Sequence, residues 1–431
     1  MGTCDFFIRR DSKNGRVDRQ YEINLKGLKS VGEKLAIFGG DPVRDSMLPY
    51  GKQTIDDQDI QKVVETLKSD YITTGPALRE FEKGVADYVG AAYAVAFSNG
   101  TAALHAACFA AGIGKGDEVI TTPLTFVASA NCVWYTGGRP VFADVDPQTY
   151  NIDPVSIESL VTRKTKAIIP VDYSGQPADY EKIQAIADKY ELVIIEDAAH
   201  AIGAEYRGKK VGSYSDMTMF SFHPVKHITT GEGGVIATNN RDYYEKLMMF
   251  RTHGITRDVE KLLEKRHPWE YEMQFLGYNY RMTDIQAALG SSQLKKLDRF
   301  VAKRRKYVKD YNEAFATMNY IGIQEQLADT ASSYHLYVIR LDGPLKGLRK
   351  EVFEALRAEN IGVNVHYIPV HTQPYYKERG YTKGLCPVAE HVYEQILSLP
   401  LYSGMSPRDV QDVVKAVKKV TAYYVNNAGG S

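Results

Sequence analysis

Leu192-Val-Ile-Ile-Glu-Asp-Ala-Ala-His200 is a short apolar run that ends abruptly in two carboxylates. A run of Leu, Val and Ile closed by acids and small residues suits a strand buried on both faces. Side chains alternate along a strand, so Glu196 and Asp197 face opposite sides. At least one of them lies at the carboxyl end of the sheet, where ligands of α/β proteins gather. A carboxylate there can bind a metal, a ribose or a protonated ring nitrogen. It can equally do no more than cap the helix that follows.

Similar runs lie on both sides of this one: Glu118-Val-Ile-Thr, Pro140-Val-Phe-Ala, Ala167-Ile-Ile-Pro-Val, Met217-Thr-Met-Phe and Gly234-Val-Ile-Ala. They alternate with helical stretches, which implies an α/β layer around a largely parallel sheet. Upstream, Ile60, Val63, Val64 and Leu67 fall at helical spacing behind Asp56 and Asp57 and predict an amphipathic helix. Downstream of Gly290 the texture changes. Residues 293–309 read as a charged helix, 335–341 as a strand, 350–359 as a helix, 362–368 as a strand and 406–424 as a closing helix begun by Ser406-Pro407. The expected organisation is a polar appendage over residues 1–33 open to disorder, a large α/β domain over 34–290 and a small α+β domain over 291–431.

The chain has 431 residues with 53 basic and 53 acidic side chains. A zero balance argues against a sequence-independent nucleic-acid binder, which needs a basic excess, and against an acidic disordered tail. Cys4, Cys108, Cys132 and Cys386 are scattered without metal spacing, so neither a disulfide framework nor a metal site is expected. The N-terminus lacks the apolar core of a secretion signal, and no apolar stretch reaches membrane-spanning length. A cytoplasmic protein is expected. Tyrosines number 30 against 2 tryptophans; tyrosine is usually a half-buried packing residue, and it also binds polar ligands.

Two further stretches carry chemistry. In Phe220-Ser-Phe-His-Pro-Val-Lys-His-Ile-Thr-Thr-Gly-Glu-Gly-Gly234, Lys226 sits amid apolar and hydroxyl residues, flanked by His223 and His227. Desolvation turns such a lysine into a usable amine nucleophile, although an exposed loop is the commonest place for a lysine. In Ala96-Phe-Ser-Asn-Gly-Thr-Ala-Ala-Leu104, a strand end runs into an alanine-rich helix. The N–H groups of that helix start form an anion site, with Gly100 allowing close approach and Thr101 adding a hydroxyl. Gly112-Ile-Gly-Lys-Gly116 is no P-loop, since its first glycine and the hydroxyl residue after lysine are missing. Together, an anion cradle, the acid Asp197, and Lys226 with Ser221 before it suit pyridoxal 5'-phosphate. That cofactor needs an amine for its aldehyde, a carboxylate for its ring nitrogen and hydroxyls for its phosphate. Phe126 is placed in chain order to cover the ring.

The chain resembles the nucleotide-sugar aminotransferases of the DegT/DnrJ/EryC1/StrS family over residues 47–424. The carrying motifs are Asn99-Gly-Thr-Ala-Ala-Leu, Glu196-Asp-Ala-Ala-His-Ala-Ile-Gly-Ala, Ser221-Phe-His-Pro-Val-Lys, Gly231-Glu-Gly-Gly and Gly277-Tyr-Asn-Tyr-Arg-Met-Thr-Asp. Leu48-Pro-Tyr-Gly-Lys-Gln, His253-Gly-Ile-Thr-Arg-Asp and Asn364-Val-His-Tyr-Ile-Pro-Val-His-Thr-Gln-Pro-Tyr-Tyr look most like its pseudaminic acid subgroup. The resemblance implies a fold-type I pyridoxal-phosphate aminotransferase: a large domain on a mixed, mainly parallel sheet, a small α+β C-terminal domain, and a homodimer with shared active sites.

It also implies roles. Lys226 would bond the cofactor aldehyde, Asp197 pair with the pyridinium, His200 lie near the phenolic oxygen and Phe126 stack on the ring. Gly100, Thr101 and Ser221 would hold the phosphate, and Asn279 would reach the partner subunit's phosphate. Tyr50, Tyr71, Thr73, Arg281, His366 and Tyr367 are substrate candidates. The implied reaction moves an amino group from L-glutamate to C4 of a UDP-linked 4-keto-6-deoxy-HexNAc sugar, UDP-2-acetamido-2,6-dideoxy-β-L-arabino-hexos-4-ulose. A sister group of dehydratases carries histidine at the lysine position, and Lys226 argues against it. An aminotransferase for another 3-keto or 4-keto nucleotide sugar and a cofactor-binding regulator without turnover are the alternatives.

Overall fold

The computed structural model describes residues 33–264 and 267–428. The appendage expected over 1–33 lies, except for Glu33, outside the described residues. The centre is a seven-stranded sheet of β1 (Tyr93–Phe97), β2 (Glu118–Thr121), β3 (Arg139–Phe142), β4 (Thr165–Ile169), β5 (Val193–Asp197), β6 (Met217–Ser221) and β7 (Gly234–Thr238), in the order β1-β7-β6-β5-β4-β2-β3. All neighbours pair in parallel except β7, which runs antiparallel to both β1 and β6. The stretch 192–197 is thus a central strand, and the expected mixed, mainly parallel α/β architecture is the one observed.

The helices, in chain order, are α1 (Asp57–Leu67), α2 (Pro76–Val89), α3 (Gly100–Ala110), α4 (Ala128–Tyr135), α5 (Tyr180–Tyr190), α6 (Arg241–Phe250), α7 (Asp284–Leu294) and α8 (Leu297–Phe315). They cover both faces of the sheet. Val95 and Phe97 pack with α3, α4 and α6, while Ala94 and Ala96 pack with α2 and the start of α8. This alternation within one strand explains why the strands read as continuous apolar runs. Helix α1 forms where its spacing predicts, but its inward face is not the apolar one. Ile60 and Leu67 are exposed. The buried members are Thr66 and Asp59, which accepts from Ser292 Oγ and Gln293 Nε2 at 2.6 Å each and meets Lys296 Nζ at 2.8 Å. A satisfied polar cluster fixes this helix in place of an apolar stripe.

The C-terminal unit is a three-stranded antiparallel sheet, β8 (Ile321–Ile323), β9 (Tyr337–Leu341) and β10 (Ile396–Leu399), ordered β8-β9-β10. It is covered by α9 (Arg349–Ala358), α10 (Pro407–Ala428) and the second half of α8. Two expectations change here. The stretch 362–368 is no ladder strand: just after the bridge of Ile361 to Leu48, it forms a single bridge at Asn364 to Ser398, before Pro369 ends any continuation. The place beside β9 belongs to β10. Second, residues 35–48 pack with this unit and not with the large one. Leu35 and Leu48 join its core, and fully buried Glu359 accepts from the N–H groups of Ala36 and Val43 at 2.9 Å each while pairing with Lys419 at 3.0 Å. Helix α8 threads both cores, with Leu297, Phe300 and Val301 in one and Tyr307, Val308, Tyr311 and Phe315 in the other. A further cluster joins Leu124, Phe142 and Tyr173 to Leu336, Val338 and Ile396, so the packing runs across residue 290 as well as through α8. No helix among the described residues is long and apolar enough to cross a membrane.

Candidate active site

Glu196 and Asp197 separate to opposite faces, as alternation requires. Glu196 is fully buried beneath the sheet, accepting from Thr218 Oγ1 at 2.6 Å and neighbouring buried Asp172. Asp197 ends β5 on the other face, 4% exposed. Its Oδ2 accepts from Ser129 Oγ at 2.6 Å, and its Oδ1 from the Ala199 N–H at 3.1 Å. Burial raises its pKa, and Ser129, Ala199 and Lys226 pull against that rise. No helix follows for Asp197 to cap; instead it tethers the turn after the strand through the Ala199 N–H.

Lys226 follows β6 in a tight turn, its N–H donating to His223 O at 2.9 Å. Burial lowers its pKa to about 8, Asp197 opposes this, and Arg304 adds to it. An amine in that range is partly unprotonated near neutral pH, which is what nucleophilic use requires. Around it lie neutral imidazoles. Buried His200 points Nε2 at Tyr367 Oη, 3.1 Å away, and its ring stands 4.3 Å from that of His335. Buried His227 meets Ser333 O through Nε2 at 3.0 Å. Burial holds all three histidines far below their usual pKa. Phe126 is half exposed, with its ring 6.4 Å from that of Tyr367.

The anion cradle forms where β1 meets α3. Asn99 caps the helix, its Oδ1 accepting from the Ala102 N–H at 2.8 Å. The N–H groups of Gly100 and Thr101 in this first turn have no intrahelical partner. Ser221 closes the cradle from β6, since a methyl on Gly100 would lie 3.6 Å from Ser221 Oγ. The approach depends on Gly234, where an added methyl would come within 2.6 Å of Asn99 O and 2.7 Å of Gly100 Cα. That is the physical use of the last glycine in Gly231-Glu-Gly-Gly.

The substrate candidates fall into two groups. Tyr50, His366 and Tyr367 form one aromatic wall: the Tyr50 and His366 rings are 5.3 Å apart, those of His366 and Tyr367 4.9 Å. The wall borders the lysine: the Lys226 charge acts on His366, and those of Tyr50 and Asp197 act on Tyr367. Arg281 bridges to Phe97 at the end of β1 and so flanks the cradle. Thr73 bridges to Thr283 beside it, and both Thr73 and Tyr71 are exposed. Asn279 bridges to Thr252 and is exposed, next to Tyr280, whose carbonyl accepts from the Ser98 N–H. Three residues escaped the sequence reading. Ser129 had a signal, as a hydroxyl inside the apolar stretch that holds Phe126. His335 and Arg304 had none, because a lone histidine at a strand start and an arginine in a charged helix are ordinary.

The residues fit pyridoxal phosphate: an amine, a buried acid with a hydroxyl donor, an aromatic face and a helix-start cradle converge at the carboxyl ends of β5 and β6. The sequence profile of the DegT/DnrJ/EryC1/StrS aminotransferase family matches residues 53–418. The chain belongs to this family. It is 43% identical to the spore coat polysaccharide biosynthesis protein SpsC of Bacillus subtilis, over 88% of this chain and 98% of that one. Among solved structures it resembles Helicobacter pylori PseC, an aminotransferase involved in the biosynthesis of pseudoaminic acid, at 33% identity and TM-score 0.82, covering 87% of this chain and 99% of that one. It also resembles the PLP-form of the sugar aminotransferase Spr1654 from Streptococcus pneumoniae at 31% identity and TM-score 0.82, covering 88% and 99%. Pyridoxal phosphate is the cofactor of this aminotransferase.

Proposed function

We propose that this aminotransferase moves the amino group of L-glutamate to C4 of UDP-2-acetamido-2,6-dideoxy-β-L-arabino-hexos-4-ulose, giving the UDP-linked 4-amino-4,6-dideoxy-N-acetyl-β-L-altrosamine. The observation that carries the reading is the convergence of Lys226, Asp197 and the Gly100–Ser221 cradle beside the Tyr50–His366–Tyr367 wall. When bound, the cofactor supplies an aldehyde that captures the donor's nitrogen and a ring that spreads the charge left when a proton departs.

The protein's side chains do the rest. Lys226 would hold the cofactor at rest through Nζ; with that bond released, its amine would take the proton from the donor's α-carbon and return it on the far side of the donor's nitrogen. Its pKa of about 8 suits both taking and giving that proton. Asp197, whose charged form Ser129, Ala199 and Lys226 favour against burial, would hold a proton on the ring nitrogen. His200 and Tyr367 would face the phenolic oxygen, and Phe126 would cover the ring. Gly100, Thr101 and Ser221 would bind the phosphate. Exposed Asn279 would serve the other subunit of a homodimer. Tyr50, Tyr71, Thr73, Arg281, His366 and Tyr367 receive the sugar nucleotide. The likeness to PseC supports the pseudaminic acid precursor. The higher identity to SpsC supports a second reading, in which the acceptor is another keto nucleotide sugar destined for a surface polysaccharide.

Incubation with L-glutamate and a panel of UDP-linked keto sugars, read by product mass and 2-oxoglutarate release, separates the two. Conversion of the L-arabino-hexos-4-ulose is expected. Conversion only of other ketones defeats the specific assignment, and no conversion of any defeats the sugar reading.

A further inference from the structure

Strand β1 is an edge of the seven-stranded sheet, with β7 as its neighbour on one side. An edge strand presents main-chain groups that must find partners outside the ladder. At Ala96 those partners are side chains. The Ala96 N–H donates to Glu82 Oε1 of α2 at 2.8 Å, and the Ala96 carbonyl accepts from Arg251 Nη1 at 2.6 Å. The same Nη1 pairs with the same Oε1. Guanidinium, carboxylate and peptide thus close one ring. The two side chains are only 5% and 12% exposed, so the pair is built into the fold and not offered to a ligand.

Beyond Ala96 another stretch of chain takes the free edge. Arg281 bridges to Phe97 in the antiparallel sense, and the Ser98 N–H donates to Tyr280 O at 2.8 Å. Ser98 directly precedes Asn99, the cap of the cradle helix α3. The stretch 278–281 is in turn laced to the residues that end α6. The Tyr278 N–H donates to Phe250 O at 2.8 Å, the Tyr280 N–H to Arg251 O at 3.0 Å and the His253 N–H to Tyr278 O at 2.9 Å, around the bridge of Thr252 to Asn279. Arg251 therefore holds in two directions: its side chain grips β1, and its carbonyl grips Tyr280. Register in such a pairing is a discrete choice, and a slip of one residue turns every side chain to the opposite face. With Arg251 anchored at Ala96, Tyr280 falls beside Ser98 and Asn279 is left exposed.

We propose that Glu82 and Arg251 are positioning residues that set the register of 278–281 and thereby present Asn279 to the cofactor phosphate of the other subunit. This inference rests on the homodimer reading above. The pair acts across the interface: each subunit's pair completes the site of the other and touches no ligand itself.

Arg251→Met alone strands a buried carboxylate. The variant is therefore Glu82→Gln/Arg251→Met, in which an amide oxygen still accepts from the Ala96 N–H. The full-length protein is loaded with pyridoxal phosphate and reduced with borohydride, and cofactor fixed to Lys226 is counted by mass across a cofactor titration. The double-variant homodimer is expected to hold cofactor about tenfold more weakly than the wild type, the scale of one hydrogen bond to a charged group. A heterodimer, isolated through two different tags, joins the double variant to a Lys226→Ala subunit whose Glu82 and Arg251 are intact. Its one Lys226 lies in the double-variant subunit and is served by the intact pair of the other. Fixation there is expected to return to the wild-type level. An unchanged affinity in the double-variant homodimer overturns the proposal. So does a loss that the heterodimer leaves unrepaired, since a pair that only braces its own subunit is not rescued from outside. A wild-type holoenzyme that is monomeric in light scattering fails the homodimer reading itself, and the proposal falls with it. If the double variant does not fold, Arg251→Lys, which keeps the charge and loses the planar fork, is read by the same two measurements.

Discussion

Asp197 and Lys226 were legible because each is a charge placed where apolar residues dominate. Ser129 was not, yet it decides how Asp197 behaves. Its hydroxyl donates to Asp197 at 2.6 Å and is itself paired with Thr125 at 2.8 Å. Removing that donor leaves burial to raise the Asp197 pKa with less opposition. Ser129→Ala is expected to lower kcat about tenfold, through the loss of one charge-assisted hydrogen bond, and single-turnover rates with glutamate check it. An unchanged rate would show that Ala199 alone suffices. The exposed candidates Tyr71 and Thr73 were legible only through the family's segments. Nothing in their own spacing marks them, and in a single chain they face solvent.

At the level of elements, apolar periodicity located the strands well because both sheet faces are buried. It failed where polar contacts direct the packing. Helix α1 turns Asp59 inward and leaves Ile60 out, a choice that hydrophobic spacing cannot show. Residues 362–368 have a strand's composition, but their pairing with Ser398 stops at Asn364, and His366 turns its Nδ1 to the Ser398 hydroxyl. Helix α2 shows the same dependence. Fully buried Asp284 accepts from the N–H groups of Gly75 at 2.8 Å, Ala77 at 2.9 Å and Leu78 at 3.3 Å, so a residue 209 positions away caps the helix. Asp284→Ala strands those donors and is expected to cost about 3 kcal/mol. Urea unfolding measures the loss. A cost below about 1 kcal/mol would place the cap elsewhere.

For the whole molecule, 53 basic residues balance 53 acidic ones although the cofactor and both proposed substrates are anionic. Anion binding must then come from local donors, the α3 start and Arg281 among them, and not from a general positive field. The buried histidines make a second global property. His105, desolvated beneath Tyr280, titrates at about 4, and His366 at about 3, against 6.5 for a free side chain. Their folded pKa values lie below the unfolded ones. Their contribution to stability is therefore complete above pH 6.5 and is lost as pH falls through about 4 and about 3. Denaturant midpoints are expected to fall between about pH 7.5 and about pH 5. His105→Phe, which removes one titrating group, should flatten that decline, and an unaltered slope would contradict the assignment. The clasp of Glu359 on residues 36–43 adds a third property: the chain's first described residues help complete its last core.

The account stands on Lys226 as the residue that bonds the cofactor at the end of the central sheet. The full-length protein, loaded with pyridoxal phosphate and reduced with borohydride, should yield one modified peptide on mass spectrometry, with the cofactor fixed to Lys226. Lys226→Ala, handled identically, should yield none. Cofactor fixed to a different lysine, or no fixation in the wild type, would contradict the claim.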